Sequence, residues 1–364
     1  MTTVTELDSP ARFLGRYANG FGAGAFATPT AKELAARPEL VRDFTSPDHR
    51  TVLVVKDLRV SSRRTDFTGT PYTLPAGARV VTHLARTPGA PLPPLGDIDY
   101  LYGYADDREL SGLLVRAGWR RRATQVQASS EMKHCWTRSG PVTSYHPWDV
   151  ATATQVELGA ELPTSALARE AHSLDQAAWY DDFPFYSDGS WSSINLRGFR
   201  PDDPTWGIKP SEMPKQWQAD HPEAASYECD WTVLAARTPV IRAWVESVPW
   251  WTQLERVRLL MMDGETGSTL KRHTDVQDRG SGPQDGHIVR FHMPLVTDPA
   301  IKMSVWGLDG KRRDVHLAGG GCYYLDARKP HAVSNPTTVR RIHLVVDVVS
   351  NDEVRRRIAD GGEL

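Results

Sequence analysis

From Val339 to Val349 the chain runs Val-Arg-Arg-Ile-His-Leu-Val-Val-Asp-Val-Val, and β-branched residues at this density predict a long β-strand. Side chains alternate along a strand, so Arg341, His343 and Val345 share one face. An arginine on an inward face is a costly buried charge unless an anion lies beside it. The strand therefore calls for a sheet whose inner side meets a carboxylate, such as that of a dicarboxylate cosubstrate. Ile288 to Leu295 is a second strand of the same kind, with Arg290 and His292 on one face as further carboxylate donors.

Before and between these basic positions stand the residues of a candidate metal site. In an extended segment His273 and Asp275 project to the same side while Thr274 points away. His331 opens a later strand, His331-Ala332-Val333-Ser334, and has to be brought across by the fold. Two imidazoles and one carboxylate on one side of a metal leave the opposite side open, which is the ligand set of a non-haem Fe(II) oxygenase. A His-x-Asp tripeptide alone is a weak signal that a surface hydrogen-bonding pair would also give. The strand context and the neighbouring arginines raise it. For Arg290 a structural ion pair with an aspartate is the alternative, and for His292 a hydrogen bond to a backbone carbonyl.

The run from Arg256 to Val349 resembles the aspartyl/asparaginyl β-hydroxylase family, in its bacterial proline cis-4-hydroxylase-like branch. The resemblance is carried by His273-Thr274-Asp275, Arg290-Phe291-His292-Met293-Pro294-Leu295, Tyr324-Leu325-Asp326, Pro330-His331-Ala332-Val333-Ser334-Asn335 and Arg341-Ile342-His343-Leu344-Val345-Val346-Asp347. Animal members of the family put a small residue where this chain keeps Asp275. The resemblance implies a mainly β fold, the double-stranded β-helix or cupin-like jelly roll, with flanking helices. It also implies hydroxylation of a C–H bond of an amino acid or amino-acid side chain, using Fe(II), 2-oxoglutarate and O2 and releasing succinate and CO2. His273, Asp275 and His331 would hold the iron, and Arg341 the far carboxylate of 2-oxoglutarate with Arg290 and His292 nearby. The substrate would be a free amino acid or one carried on a peptide or carrier protein. A related halogenase would leave open the position that Asp275 fills. A cupin-like sensor that binds a metal or small acid without turnover is the alternative from another class.

At 364 residues the chain is long enough for two domains. Pro, Gly and Ser cluster between Ser139 and Pro147, and ten of the twelve tryptophans lie from Trp148 onward. This predicts a smaller α+β N-terminal domain over 1–145, of no readable role, and the catalytic domain over 146–364. The formal net charge of −2 gives no field to recruit nucleic acid. No signal sequence and no apolar run of membrane-spanning length is visible, which suggests a cytoplasmic protein. Cys135, Cys229 and Cys322 are too few and too widely spaced for a disulfide framework or a zinc site, and Cys322 is expected near the barrel interior.

Local signals place strands over Thr51–Val60, Arg79–Leu84, Arg256–Met262, Lys302–Trp306, Asp314–Leu317 and Cys322–Asp326. Helices are expected over Asp106–Ala117, from a Thr164 cap to about Ala178, and from Pro239 with Val240, Ile241, Trp244, Val245 and Val248 inward. A last helix follows the Ser350–Glu353 capping box. The polar, glycine-rich segment 277–286 suits either a lid over the metal or an ordinary surface hairpin.

Overall fold

The computed structural model describes residues 26–27, 31–36, 38–60, 72–126, 132–139, 145–174, 180–181, 190–199, 215–264, 267–275 and 282–364. Much of the expected 277–286 lid lies outside them. The described chain is mainly β with few helices, and it divides into two units: Met1–His146 with Leu308–Lys311, and Pro147–Gly307 with Arg312–Leu364.

In the first unit a six-stranded sheet runs in the order Phe26–Ala27, His49–Val54, Arg79–Leu84, Tyr100–Tyr104, Met132–Thr137, Arg120–Val126. The expected strand Thr51–Val60 is two: His49–Val54 ends at exposed Val55, and Leu58–Val60 pairs with Tyr72–Leu74 in a separate hairpin. The helix Arg108–Arg116 begins where Asp107 accepts from the Leu110 N–H at 2.8 Å. Gly118, at φ 81, takes the left-handed conformation just beyond its end.

The second unit is built on eight strands: β1 (Leu254–Met262), β2 (Thr269–His273), β3 (Ile288–Val296), β4 (Lys302–Trp306), β5 (Arg312–Val315), β6 (Tyr323–Leu325), β7 (His331–Ser334) and β8 (Arg341–Val349). One sheet orders them β1-β8-β3-β6 and the other β2-β7-β4-β5, all antiparallel. The chain thus crosses between two facing sheets in the winding of a jelly roll. Trp191–Gly198 extends the larger sheet beside β1, while Ala153–Gln155 and Gly362–Glu363 extend it beyond β6.

Alternation gives the larger sheet two different faces. Inward, Leu260, Met262, Leu325 and Val345 meet Leu270, Met303, Val305 and Val333 of the smaller sheet. Outward, Phe291, Met293, Ile342, Leu344, Val346 and Val348 pack with three helices: α1 (Thr164–Ser173), α2 (Pro239–Ser247) and α3 (Asp352–Asp360). The strands β3 and β8 are therefore buried almost end to end.

Several local expectations need correction. Thr164 is the first residue of α1 and bonds back to the Leu162 carbonyl instead of capping. Val240 is exposed on α2, whereas Ile241, Trp244 and Val245 are buried. The cap of α3 is Asn351, whose side chain accepts from the Val354 N–H at 2.9 Å. The strand expected at Asp314–Leu317 sits two residues earlier, because Arg312 to Val315 are the residues that pair with β4. Cys322 packs in the helix-side core rather than inside the barrel.

Candidate metal centre

β2 and β7 pair so that His273 stands opposite His331. The register is not regular. Leu270 pairs with Val333 and His273 with His331, so β2 advances three residues where β7 advances two. Leu270 points into the barrel, and strict alternation would have sent Arg272 inward and His273 out. The extra residue reverses the parity, as bulges beside sites do. The two imidazoles come to face each other with ring centroids 4.3 Å apart.

The strand ends at His273, so Asp275 is not placed by strand alternation as expected. Its backbone N–H donates to the Ala327 carbonyl at 2.8 Å, and this bond brings its carboxylate to the histidines. His273 Nε2 lies 3.5 Å from Asp275 Oδ1 and His331 Nε2 3.9 Å from it, with one donor atom from each of the three residues inside 4.8 Å.

Each imidazole is oriented from behind. His273 Nδ1 bonds the Lys271 carbonyl at 2.7 Å and His331 Nδ1 the Lys329 carbonyl at 3.0 Å. A carbonyl can only accept, so each Nδ1 carries the proton and each Nε2 presents a lone pair to the centre, the arrangement that metal-binding histidines use. Burial, followed by the neighbouring His273, draws His331 down to about 4, so it stays neutral near pH 7. Burial would raise Asp275, but Arg290, His331 and His273 overcome this and hold it ionised well below the usual carboxylate range.

Behind this trio the inner face of the larger sheet is charged. Arg290 donates from Nε and Nη2 to Asp347 at 2.7 and 3.0 Å, and from Nη1 to Asp275. Arg256 and Arg258 approach the same Asp347 carboxylate at 3.4 and 3.7 Å. Asp347 is buried, yet these arginines, Arg290 foremost, keep it ionised. Arg290 is thus an ion-pair partner of two aspartates, the alternative the sequence had left open.

Arg341, His343 and Val345 share the inner face of β8, and His292 sits across from Val345. Arg341 is 2% exposed, and burial pulls it down to about 9, still cationic near neutrality. Its Nη2 donates to His343 Nδ1 at 2.9 Å, and its Cζ lies 5.8 Å from the Trp191 ring. Arg341 Nη1, His343 Nε2 and both ring nitrogens of His292 are buried with no partner among the described residues. Four such atoms in one interior form a polar lining.

Residues 175–351 match the family described as Aspartyl/Asparaginyl beta-hydroxylase. The match spans 177 of the chain's 364 residues, and this part of the chain is similar to that family. The matched segment contains every residue of the site just described. Among solved structures, the match to a Pseudomonas putida prolyl-4-hydroxylase has 13% identity and a TM-score of 0.30, covering 55% of this chain and 94% of that one. The epimerase SnoN from nogalamycin biosynthesis matches at 13% identity and TM-score 0.33, over 56% and 78% of the two chains. A prolyl hydroxylase from Trichoplax adhaerens matches at 15% identity and TM-score 0.30, over 53% and 80%. The jelly roll is established by strand order, independently of these low scores. A search of curated proteins gives no match.

The sequence assigned no role to Arg256, Arg258, Asp149, Asp326, Arg328 or Lys329. The available signal was the alternation of β1, which puts Arg258 on the face of Leu260 and Met262.

Proposed function

We propose that the matched segment is an Fe(II)/2-oxoglutarate-dependent dioxygenase that hydroxylates a C–H bond of an amino acid or amino-acid side chain, free or carried on a peptide or carrier protein. The observation that carries this reading is the convergence of one donor atom each from His273, Asp275 and His331 within 4.8 Å, with both histidine Nδ1 atoms committed to backbone carbonyls. The residues fit the cofactor: the donor set is that of a facial triad, and the partnerless atoms of Arg341, His292 and His343 suit an anionic cosubstrate. When bound, iron with 2-oxoglutarate and O2 supplies the oxidising power to insert one oxygen into a C–H bond, with succinate and CO2 as coproducts.

The chain's own residues bind and orient. Arg341 takes the far carboxylate of 2-oxoglutarate, and His343 holds its guanidinium through Nη2. Arg290, fixed by Asp347, restrains Asp275 through the oxygen Oδ2, leaving Oδ1 on the side of the histidines. The apolar inner residues Leu260, Met262 and Val345 keep bulk water from the reacting atoms.

Turnover of 2-oxoglutarate over a panel of amino acids and peptides, with products weighed for one added oxygen, tests the proposal. Succinate should form with the parent chain and Fe(II), and His331→Ala should form none while remaining folded. Tight metal and 2-oxoglutarate binding with no succinate for any substrate would favour the sensor reading instead.

A further inference from the structure

The turn that precedes β7 makes contact with the metal centre at two points. Asp326 to Lys329 closes on itself, with the Lys329 N–H bonded to the Asp326 carbonyl at 2.9 Å. From this turn the Ala327 carbonyl receives the Asp275 N–H, and the Lys329 carbonyl receives His331 Nδ1. Two ligands on different segments are therefore hung from peptide groups two residues apart.

What fixes the turn is a buried ionic lattice. Arg328 donates from Nε and Nη2 to the two oxygens of Asp326, each at 2.8 Å, and from Nη2 to Asp149 at 3.1 Å. Lys329, wholly buried, donates to the carbonyls of Asp149, Val150 and Ala151 at 2.7, 3.0 and 2.5 Å and pairs with Asp326 at 3.3 Å. Gln284 bonds both Asp149 and Arg328. Gly282 has φ 108, and a Cβ there would lie 2.5 Å from the Arg328 Cζ, so the segment returning toward β3 is moulded on the same guanidinium. Desolvating this many charges is a costly way to hold a loop when apolar residues could fill the space. Its specific product is a turn with little freedom to tilt.

We propose that this turn is the positioning element of the metal centre, with Arg328 as the positioning residue that sets Asp275 and His331 relative to each other. The inference rests on the metal reading above. Arg328 is not one of the three converging residues; it acts through the Ala327 and Lys329 carbonyls.

The test uses the full chain and Co(II), whose ligand-field bands report coordination geometry without turnover. Arg328→Met should weaken Co(II) binding roughly 10- to 100-fold, as loss of outer partners of metal ligands does, and should shift the bands. Arg328→Lys should recover part of the affinity. Leu167→Ala, which opens the helix-side core of α1, should lower the melting temperature while leaving Co(II) affinity and spectrum as in the parent. If Arg328→Met does not fold, Asp149→Asn decides, since it keeps the shape and removes one charge partner; weaker binding with shifted bands supports the proposal. Folded Arg328→Met or, failing that, Asp149→Asn with parental affinity and bands would overturn it. So would an equal loss in Leu167→Ala. A parent chain that binds no Co(II) would instead overturn the metal reading itself.

Discussion

Arg341 and Arg340 are neighbours in sequence with opposite fates. Arg341 lies inside with one guanidinium nitrogen unbonded, while Arg340 is partly exposed and pairs with Asp263 at 3.1 Å. A charge-assisted hydrogen bond contributes about 1.5–3 kcal/mol. Arg341→Leu is therefore expected to weaken 2-oxoglutarate binding roughly 10- to 150-fold, with Arg340→Leu near the parent. Titration of 2-oxoglutarate into the Fe(II)-loaded variants, followed by the metal-to-ligand charge-transfer band, measures both; equal losses would rule out Arg341 as the cosubstrate's partner. At this scale the sequence was informative where alternation sufficed, as for Arg341 with His343; His273, Asp275 and His331 come together through a bulge and the Asp275–Ala327 bond rather than through alternation. It was silent on partners chosen by tertiary contact. Nothing near Arg290 announces Asp347, which lies 57 residues further along the chain, and nothing local announces that Arg328 and Lys329 are both buried.

The strand β8 carries two functions on its two faces. Leu344, fully buried among the residues packed with α1, α2 and α3, belongs to the core, and its inward neighbour His343 belongs to the site. Leu344→Ala should lower stability by about 2–5 kcal/mol, read as a fall in the urea midpoint, with 2-oxoglutarate affinity in the folded protein little changed; a large loss of affinity would mean that the faces are not separable. Long strands such as β3 and β8 were legible because their composition suits burial on both faces. Strand ends and caps were not. Thr164 and Asn351 are both competent caps by residue type, and only the path of the preceding chain determines that Asn351 bonds the helix and Thr164 does not.

Across the whole chain, the proposed site draws all its side chains from the second unit, while the four-residue tip Leu308–Lys311 groups with the first. A fragment of residues 147–364 is therefore expected to bind Co(II) and 2-oxoglutarate with about the affinity of the full chain, measured by calorimetry. A soluble, folded fragment that binds neither would show that the first unit completes the site. No local pattern marks Leu308–Lys311 as belonging with residues so distant in sequence.

The three-for-two step in β2 makes the metal centre unequally sensitive to changes in chain length. Loss of Lys271 or Arg272 would straighten the strand and return it to plain alternation, with the imidazole still turned toward His331. Gain of a residue there has no such relief: under plain alternation the imidazole stays on the inner face but is carried past His331 to a position opposite Lys329, unless a second kink takes up the extra link. A shortened β2 is compatible with a metal site, and a lengthened one works against it.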